Sequence, residues 1–164
     1  MIVKDVQTRL GPHDPAILEN VSKFLMHNIG NEVSSNSVSK STGISPVTVR
    51  NYLRAMEGAY LLYRAYRYDI IGKRLLRTRE KYHVPDTGIR NSVLGNAKGT
   101  DMSRQIENIV YLELRRRGFT VNVGNYRDWE VDFTASKRGV TEHYQVTQTM
   151  RPESSFEREV RPLA

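Results

Sequence analysis

Residues 34–84 carry the pattern that most constrains the fold of this chain. A short stretch with helical spacing over residues 36–41 is followed by a glycine-containing turn and a second helical stretch. Ser45 followed by Pro46 is typical of a helix start, because serine caps the first turn and proline tolerates the first helical position. A segment of strand-like alternation follows, with residues 72–73 as the tip of a hairpin. The pattern predicts a helix-turn-helix followed by a basic wing.

The predicted helix that begins at Pro46 has two different faces. Val49, Leu53 and Met56 fall on one face and predict a buried stripe. The opposite face is polar and is a candidate for contacts with DNA in the major groove, while arginines of the hairpin would follow the DNA backbone. These candidate nucleic-acid-binding residues are Thr48, Arg50, Asn51, Arg54, Arg74 and Arg77. The alternative is a spacer or protein-docking module whose polar face is only solvated.

Charge and composition favour a polyanionic partner. The formal net charge is +7, and residues 60–81 hold seven basic and two acidic side chains, a local excess of +5 (7 − 2). The absence of cysteine excludes disulfides and thiolate metal sites. No apolar run is long enough to span a membrane, and the first residues lack a secretory signal, so we expect a cytoplasmic protein. The sequence contains no GxxxxGK[ST] motif, so ATP hydrolysis is not expected from these residues.

The rest of the chain predicts a second region of α/β character. Asp14 followed by Pro15 predicts a helix start, because aspartate is a favoured N-cap and proline tolerates the first turn. One long helix is expected to end at Gly118, since glycine is favoured directly after a helix. The predicted elements outside the helix-turn-helix and hairpin are helices over 15–30, 86–95 and 101–117, a linker over 95–101, strands over 119–123, 129–136 and 142–148, and a helix from about residue 153. Such an α/β layer is small, so we expect the chain to be part of a longer protein.

Two acids and an amide are expected to meet on these elements. Because side chains alternate across a strand, Asp132, Gln145 and Thr147 would share one face. Glu107 adds a carboxylate beside the apolar stripe of the preceding helix. Two alternatives remain. Glu107 could be solvated or paired with Arg104 at i, i+3, and Asp132 could be an exposed strand residue paired with a neighbouring arginine.

Several short motifs, taken in order, resemble a known family. They are the winged-helix stretch from IGNEVSS to LYRAYRY, then KYHVPDTGIRNSVLG, QIENIVYLELRRRGFTVNVG, WEVDF, YQVTQ and FEREVRPL. Together they resemble the C-terminal region of the predicted AAA+ superfamily ATPases of bacteria and archaea. The resemblance implies an N-terminal ATPase domain in the parent chain, a winged helix over residues 12–84, and a partial domain of PD-(D/E)xK nuclease-like fold over residues 85–164.

The same resemblance implies roles for individual residues. Glu107 matches the helix acid of the nuclease fold, Asp132 the strand acid, and Gln145 the first residue of the last motif. In an active site the two carboxylates would hold Mg²⁺ and a lysine would activate water. Thr147 stands in the place of that lysine, and a threonine hydroxyl has neither the charge nor the pKa for this task.

The expected molecule is therefore an α/β (α+β) chain that binds DNA or assists assembly for an attached ATPase, with a degenerate nuclease-like fold and no cofactor. One alternative is a Mg²⁺-dependent nuclease, for which Lys98 or Lys137 would have to replace the missing lysine. Another is a protein-interaction module without nucleic acid. The sequence leaves the oligomeric state open.

Overall fold

A computed structural model describes residues 2–95 and 102–147 as a mixture of helices and strands. The elements are α1 (Ile2–Leu10), α2 (Pro15–His27), β1 (Glu32–Val33), α3 (Ser35–Thr42), α4 (Pro46–Gly58), β2 (Tyr63–Asp69), β3 (Arg74–His83), α5 (Thr87–Leu94), α6 (Met102–Arg116), β4 (Thr120–Tyr126), β5 (Trp129–Lys137) and β6 (Val140–Tyr144). The expected α+β class is confirmed. The predicted helix from residue 153, the motif FEREVRPL and most of the predicted linker lie outside the described residues.

Several helix boundaries follow local sequence signals. The Asp14 side chain accepts a hydrogen bond of 2.8 Å from the backbone N–H of Ala16 at the start of α2. Ser45 caps α4 by accepting one of 3.1 Å from the N–H of Thr48. Gly118 follows α6 with a φ of +84°, a conformation that costs glycine little. These three predictions are confirmed. None of the helices in the described parts has the length and apolar character needed to cross a lipid bilayer.

Contacts divide the chain into two units, and the first comprises Met1–Arg64 and Lys81–Lys98. It holds α1 to α5 and β1, with β1 beside the end of β3. Arg90 is buried in this unit and donates from Nε to the carbonyl of Met26 at 2.8 Å, so that α5 satisfies a carbonyl at the end of α2. The apolar core includes Val6, Val21, Leu25, Val38, Val49 and Met56.

Helix α1 was not among the predicted elements. Val6 is fully buried in the core of the first unit, and Leu10 packs against the same core. The two residues lie four positions apart, so they share one face of a helix in an otherwise polar segment. That spacing was the signal for α1, but two apolar positions make a short pattern. Helix α1 packs against α4.

The second unit comprises Ala65–Glu80 and Gly99–Ala164. Its described strands lie in the order β3-β2-β4-β5-β6, with β2 parallel to β4 and the pairs β4–β5 and β5–β6 antiparallel. Helix α6 packs on β4 and β5, where the rings of Tyr111 and Phe133 lie 5.8 Å apart. Both side chains are fully buried, so this contact lies in the core of the unit.

The two units divide the chain at points other than the predicted domain boundary after residue 84. The outer part of the β2–β3 hairpin belongs to the second unit, because β2 pairs with β4 from Arg67 opposite Val123 to Asp69 opposite Asn125. The assignment of domains to 12–84 and 85–164 stays a prediction.

A close approach of backbone and side chains marks the middle of β4. The β4–β5 register shifts between Asn122 and Gly124, as at a β-bulge. A β-carbon added at Gly124 would lie 2.6 Å from Oγ1 of Thr134 and 2.9 Å from Cβ of Val131. Both distances are shorter than van der Waals contact, so only glycine fits this position without a shift of the strands.

We expect Gly124→Ala to destabilise the second unit by about 1–3 kcal/mol, because the new methyl group overpacks a closed site. Urea unfolding followed by the fluorescence of Trp129 measures this change. In a Thr134→Ala background the closest atom is absent, so Gly124→Ala should cost less there than in the wild type. A Gly124→Ala protein as stable as the wild type would contradict the prediction.

Candidate functional site

The polar face of α4 lies in solvent. Arg50, Asn51 and Arg54 are all exposed on this helix. Thr48 is half-buried, and its hydroxyl lies 2.9 Å from the hydroxyl of Ser45 as part of the helix cap. Three of the four candidate residues on α4 can therefore meet a ligand, whereas the hydroxyl of Thr48 already takes part in the start of the helix.

The structure describes the side chain of one of the two candidate arginines of the hairpin. Arg74 is exposed, with its Nε 3.6 Å from Oδ2 of Asp69. The backbone of Arg77 belongs to β3, but its side chain lies outside the described part of the chain. Arg64 forms an ion pair with Glu57. Arg74 is thus a hairpin candidate that lies in solvent.

Arg67 serves the fold of the second unit. Its side chain is 9% exposed, and its Nη2 donates to Oδ1 of Asn125 and Oε2 of Glu130, each at 3.2 Å. A buried charge is stable only when it is paired and hydrogen-bonded. This arginine therefore joins β2 to β4 and β5.

The structure brings Asp132 and Gln145 together. The backbone N–H of Val146 donates to Oδ2 of Asp132 at 2.7 Å. In return, the N–H of Asp132 donates to Oε1 of Gln145 at 3.3 Å. Both side chains are half-buried. The carboxylate and the amide thus hold the segment after β6 to β5.

The predicted strand over residues 142–148 is wrong at its C-terminal end. Strand β6 ends at Tyr144, and residues 145–147 have no regular structure. The reason is that this segment is held to β5 by the Asp132 carboxylate and the Gln145 amide rather than by a backbone ladder. Strand alternation therefore does not set the direction of Gln145 and Thr147. Thr147 is exposed.

The described residues do not form a metal-binding cluster. Glu107 is half-buried on α6, one turn before Tyr111. Within residues 2–95 and 102–147, no three His, Asp or Glu side chains are grouped so as to hold a metal ion. Lys137 donates from Nζ to the carbonyl of Arg117 at 2.6 Å, so it is engaged at the end of α6. Lys98 lies outside the described residues.

Arg116 and Arg117, at the end of α6, form ion pairs with an acid of the same helix. Nε of Arg116 and Nε of Arg117 lie 2.6 Å and 2.8 Å from the carboxylate oxygens of Glu113. The hydrogen bonds from Arg116 and then Arg117 lower the pKa of Glu113 to about 2. Both arginines remain largely solvent-exposed, which makes them matched controls for exposed arginines elsewhere.

Helix α1 adds a cation that sequence reasoning missed. Nη1 of Arg9 lies 3.0 Å from the position that a β-carbon on Gly58 would take, so Arg9 reaches the end of α4. Arg9 also forms an i, i+4 ion pair of 3.2 Å with Asp5. Recognition of α1 as a helix would have been needed to find this residue.

Comparison with known proteins supplies a family. Residues 1–100 match the domain of unknown function DUF8612, which is more than half of the 164 residues. The chain belongs to the DUF8612 family. The matched residues run from α1 through α5 of this family member.

Relatives of this DUF8612 protein occur in a bacterium and an archaeon. An uncharacterized protein of Haemophilus influenzae is 36% identical over 162 residues, which cover 96% of this chain and 40% of the relative. Uncharacterized protein MJ1544 of Methanocaldococcus jannaschii is 30% identical over 139 residues, which cover 79% of this chain and 30% of the relative. The chain thus spans less than half the length of either relative. No solved structure matches it.

Asp132→Ala should release the segment that follows β6. Removal of a charged acceptor costs about 1.5–3 kcal/mol, so we expect the amide hydrogen of Val146 to exchange at least tenfold faster. Hydrogen exchange followed by NMR measures this rate. Asp128→Ala removes an exposed carboxylate from the β4–β5 turn and should leave the rate unchanged. An unchanged rate in Asp132→Ala itself would show that the carboxylate does not hold the segment.

Proposed function

We propose that this DUF8612 protein is the C-terminal region of a predicted AAA+ superfamily ATPase and that it binds duplex DNA through α4. The attached N-terminal ATPase domain would be its partner in the parent chain, in the cytoplasm. Two features support the link to a larger protein. The motifs resemble that C-terminal region, and the chain aligns with only part of each longer relative.

The order of elements supports a winged helix in residues 12–84. Helices α2, α3 and α4 are followed by the β2–β3 hairpin, and the short strand β1 lies beside β3. In a winged helix the last of the three helices enters the major groove, which is wide enough to admit an α-helix. Helix α4 would take this role, with the hairpin as the wing.

The observation that carries the proposal is the exposed polar face of α4. Among the described residues, Arg50 has the hydroxyl of Ser35 at 3.5 Å as its neighbour, and neither Arg50 nor Arg54 is paired with a carboxylate. An arginine without an acidic partner has no carboxylate to offset its charge toward phosphate, and its N–H donors remain available for base edges. The chain's net charge of +7 supports the same partner.

For the second unit we propose a PD-(D/E)xK-like fold that does not cut DNA. The order α6-β4-β5-β6 is consistent with the helix and three strands of that fold. Asp132 and Gln145 are both engaged in holding residues 145–147. With Thr147 in the lysine's place, a positive group to activate water is missing from the motif.

Arg50→Ala combined with Arg54→Ala should weaken DNA binding at least tenfold, because two phosphate or base contacts are lost. Fluorescence anisotropy with a labelled duplex across a salt series gives the dissociation constant. The slope of log K against log[salt] should fall by about 1 for each of the two arginines that contacts a phosphate.

The control is Arg116→Ala combined with Arg117→Ala, which removes the same charge from exposed positions in the second unit. This variant should retain wild-type affinity within about twofold, since these arginines already pair with Glu113. Equal losses of DNA affinity in both double variants would show that the effect comes from net charge alone. Absence of wild-type binding at low salt would favour the assembly module.

Incubation with supercoiled plasmid and Mg²⁺ or Mn²⁺ should yield no cutting that depends on Asp132. The physical reason is the absence of a lysine from the motif that activates water. Agarose gels of wild type, Asp132→Ala and Asp128→Ala samples measure nicking and linearisation. Cutting by the wild type and by Asp128→Ala, but not by Asp132→Ala, would favour the nuclease alternative, with Asp132 as one of its residues.

A further inference from the structure

We propose that the space between α1 and α4 binds a phosphate group of the DNA backbone. This inference rests on the proposed function and assigns it an additional contact. The site, called here the α1–α4 cleft, has a volume of about 360 Å³ and is lined by Arg9, Leu10, Asn51, Arg54 and Ala55. Three of the five lining side chains are hydrogen-bond donors, and two of these are cations.

The charges of the cleft fit an oxyanion. Arg54 and Asn51 have no side-chain partner among the residues that the structure describes. Arg9 is paired with Asp5, about half of whose side chain is exposed. Surface ion pairs of this kind contribute little energy and exchange readily, so an entering phosphate can share Arg9. Guanidinium groups bind phosphate oxygens in a bidentate manner, and an amide N–H adds a third donor.

The packing of α1 beside α4 places both cations in the lining of the cleft. Val6 is fully buried and anchors α1 against the core of the first unit. On α4 the residues that face α1 include Ala55 and Gly58, which are small enough to let the helices approach. Arg9 therefore lies over the end of α4, one turn beyond Arg54. A phosphate bound there would not compete with Arg50, which is not part of the cleft lining.

The hydrogen-bonding groups of the cleft fit a DNA backbone phosphate better than a base. The three polar side chains of the lining are all donors, and the carboxylate of Asp5, which pairs with Arg9, is not part of the lining. Recognition of a base edge needs donors and acceptors in a set pattern, whereas a phosphate accepts from every side. The expected contribution is therefore independent of sequence and sensitive to salt.

Arg9→Ala tests the cleft without altering α4. We expect the dissociation constant for a labelled duplex to rise about fivefold or more, and the salt slope to fall by about 1. Arg117→Ala is the matched control, because Arg117 is also exposed and pairs with a carboxylate at i, i+4. This control should bind within about twofold of the wild type. Circular dichroism verifies that both variants are folded.

The reciprocal change should have the opposite sign. Asp5→Asn frees Arg9 and removes a repelling charge, so it should tighten DNA binding. Glu113→Gln frees Arg116 and Arg117 in the same way and should leave the affinity unchanged. Tightening in both variants, or in neither, would overturn the assignment of the cleft.

NMR of the arginine side-chain Nε–H groups locates the phosphate directly. Titration with a short unlabelled duplex and, separately, with inorganic phosphate should shift the signals of Arg9 and Arg54. Shifts caused by phosphate but not by DNA would refute a backbone contact, and absence of both would refute the site. If Arg50→Ala with Arg54→Ala weakens binding but Arg9→Ala does not, the cleft is wrong and DNA binding stands. If the wild type does not bind DNA, the proposed function itself fails.

Discussion

The parallel pairing of β2 with β4 is the constraint on which the second unit depends. The outer strand of a hairpin, if unpaired, presents backbone donors and acceptors to other chains. Here β4 pairs with the free edge of β2. The pairing places Arg67 in a buried position, where its charge needs the carboxylate of Glu130 and the amide of Asn125. Part of the positive charge of the hairpin is therefore committed to folding, and this lowers the charge left for a polyanionic partner.

The acid and the amide in the second unit illustrate how the same residues can serve structure or chemistry. A carboxylate that is to hold a metal ion needs oxygen lone pairs directed to the ion. In this protein one oxygen of Asp132 accepts from the backbone of Val146, and the amide of Gln145 accepts from the backbone of Asp132. These reciprocal contacts fix the residues after β6, which is a structural use of a pair that the nuclease fold would use for catalysis.

Sequence reasoning succeeded where a boundary depends on neighbours in the chain. Asp14, Ser45 and Gly118 each act within a few residues, and the structure confirms all three. It failed where contacts between distant residues decide. The end of β6 depends on Asp132, which lies more than ten residues earlier, and the buried state of Arg67 depends on β4 and β5.

The candidate site on α4 was also predicted in part, where it depends on one helix alone. Exposure of Arg50, Asn51 and Arg54 followed from helical periodicity, because the apolar face of α4 fixes the direction of the other face. The contribution of Arg9 could not follow from that helix alone, since it requires α1 to exist and to pack beside α4. The roles of these residues in binding stay predictions.

The burial of Val6 and the packing of Leu10 bear on how this protein is expressed. A shortened version that starts at residue 12, the predicted start of the winged helix, would lack α1. It would leave apolar surface of the first unit open to water, and loss of the fully buried valine alone removes about 1.5–3 kcal/mol of stabilisation. Exposed apolar patches of this kind promote self-association. Recombinant versions that retain the first ten residues should therefore be the more soluble ones.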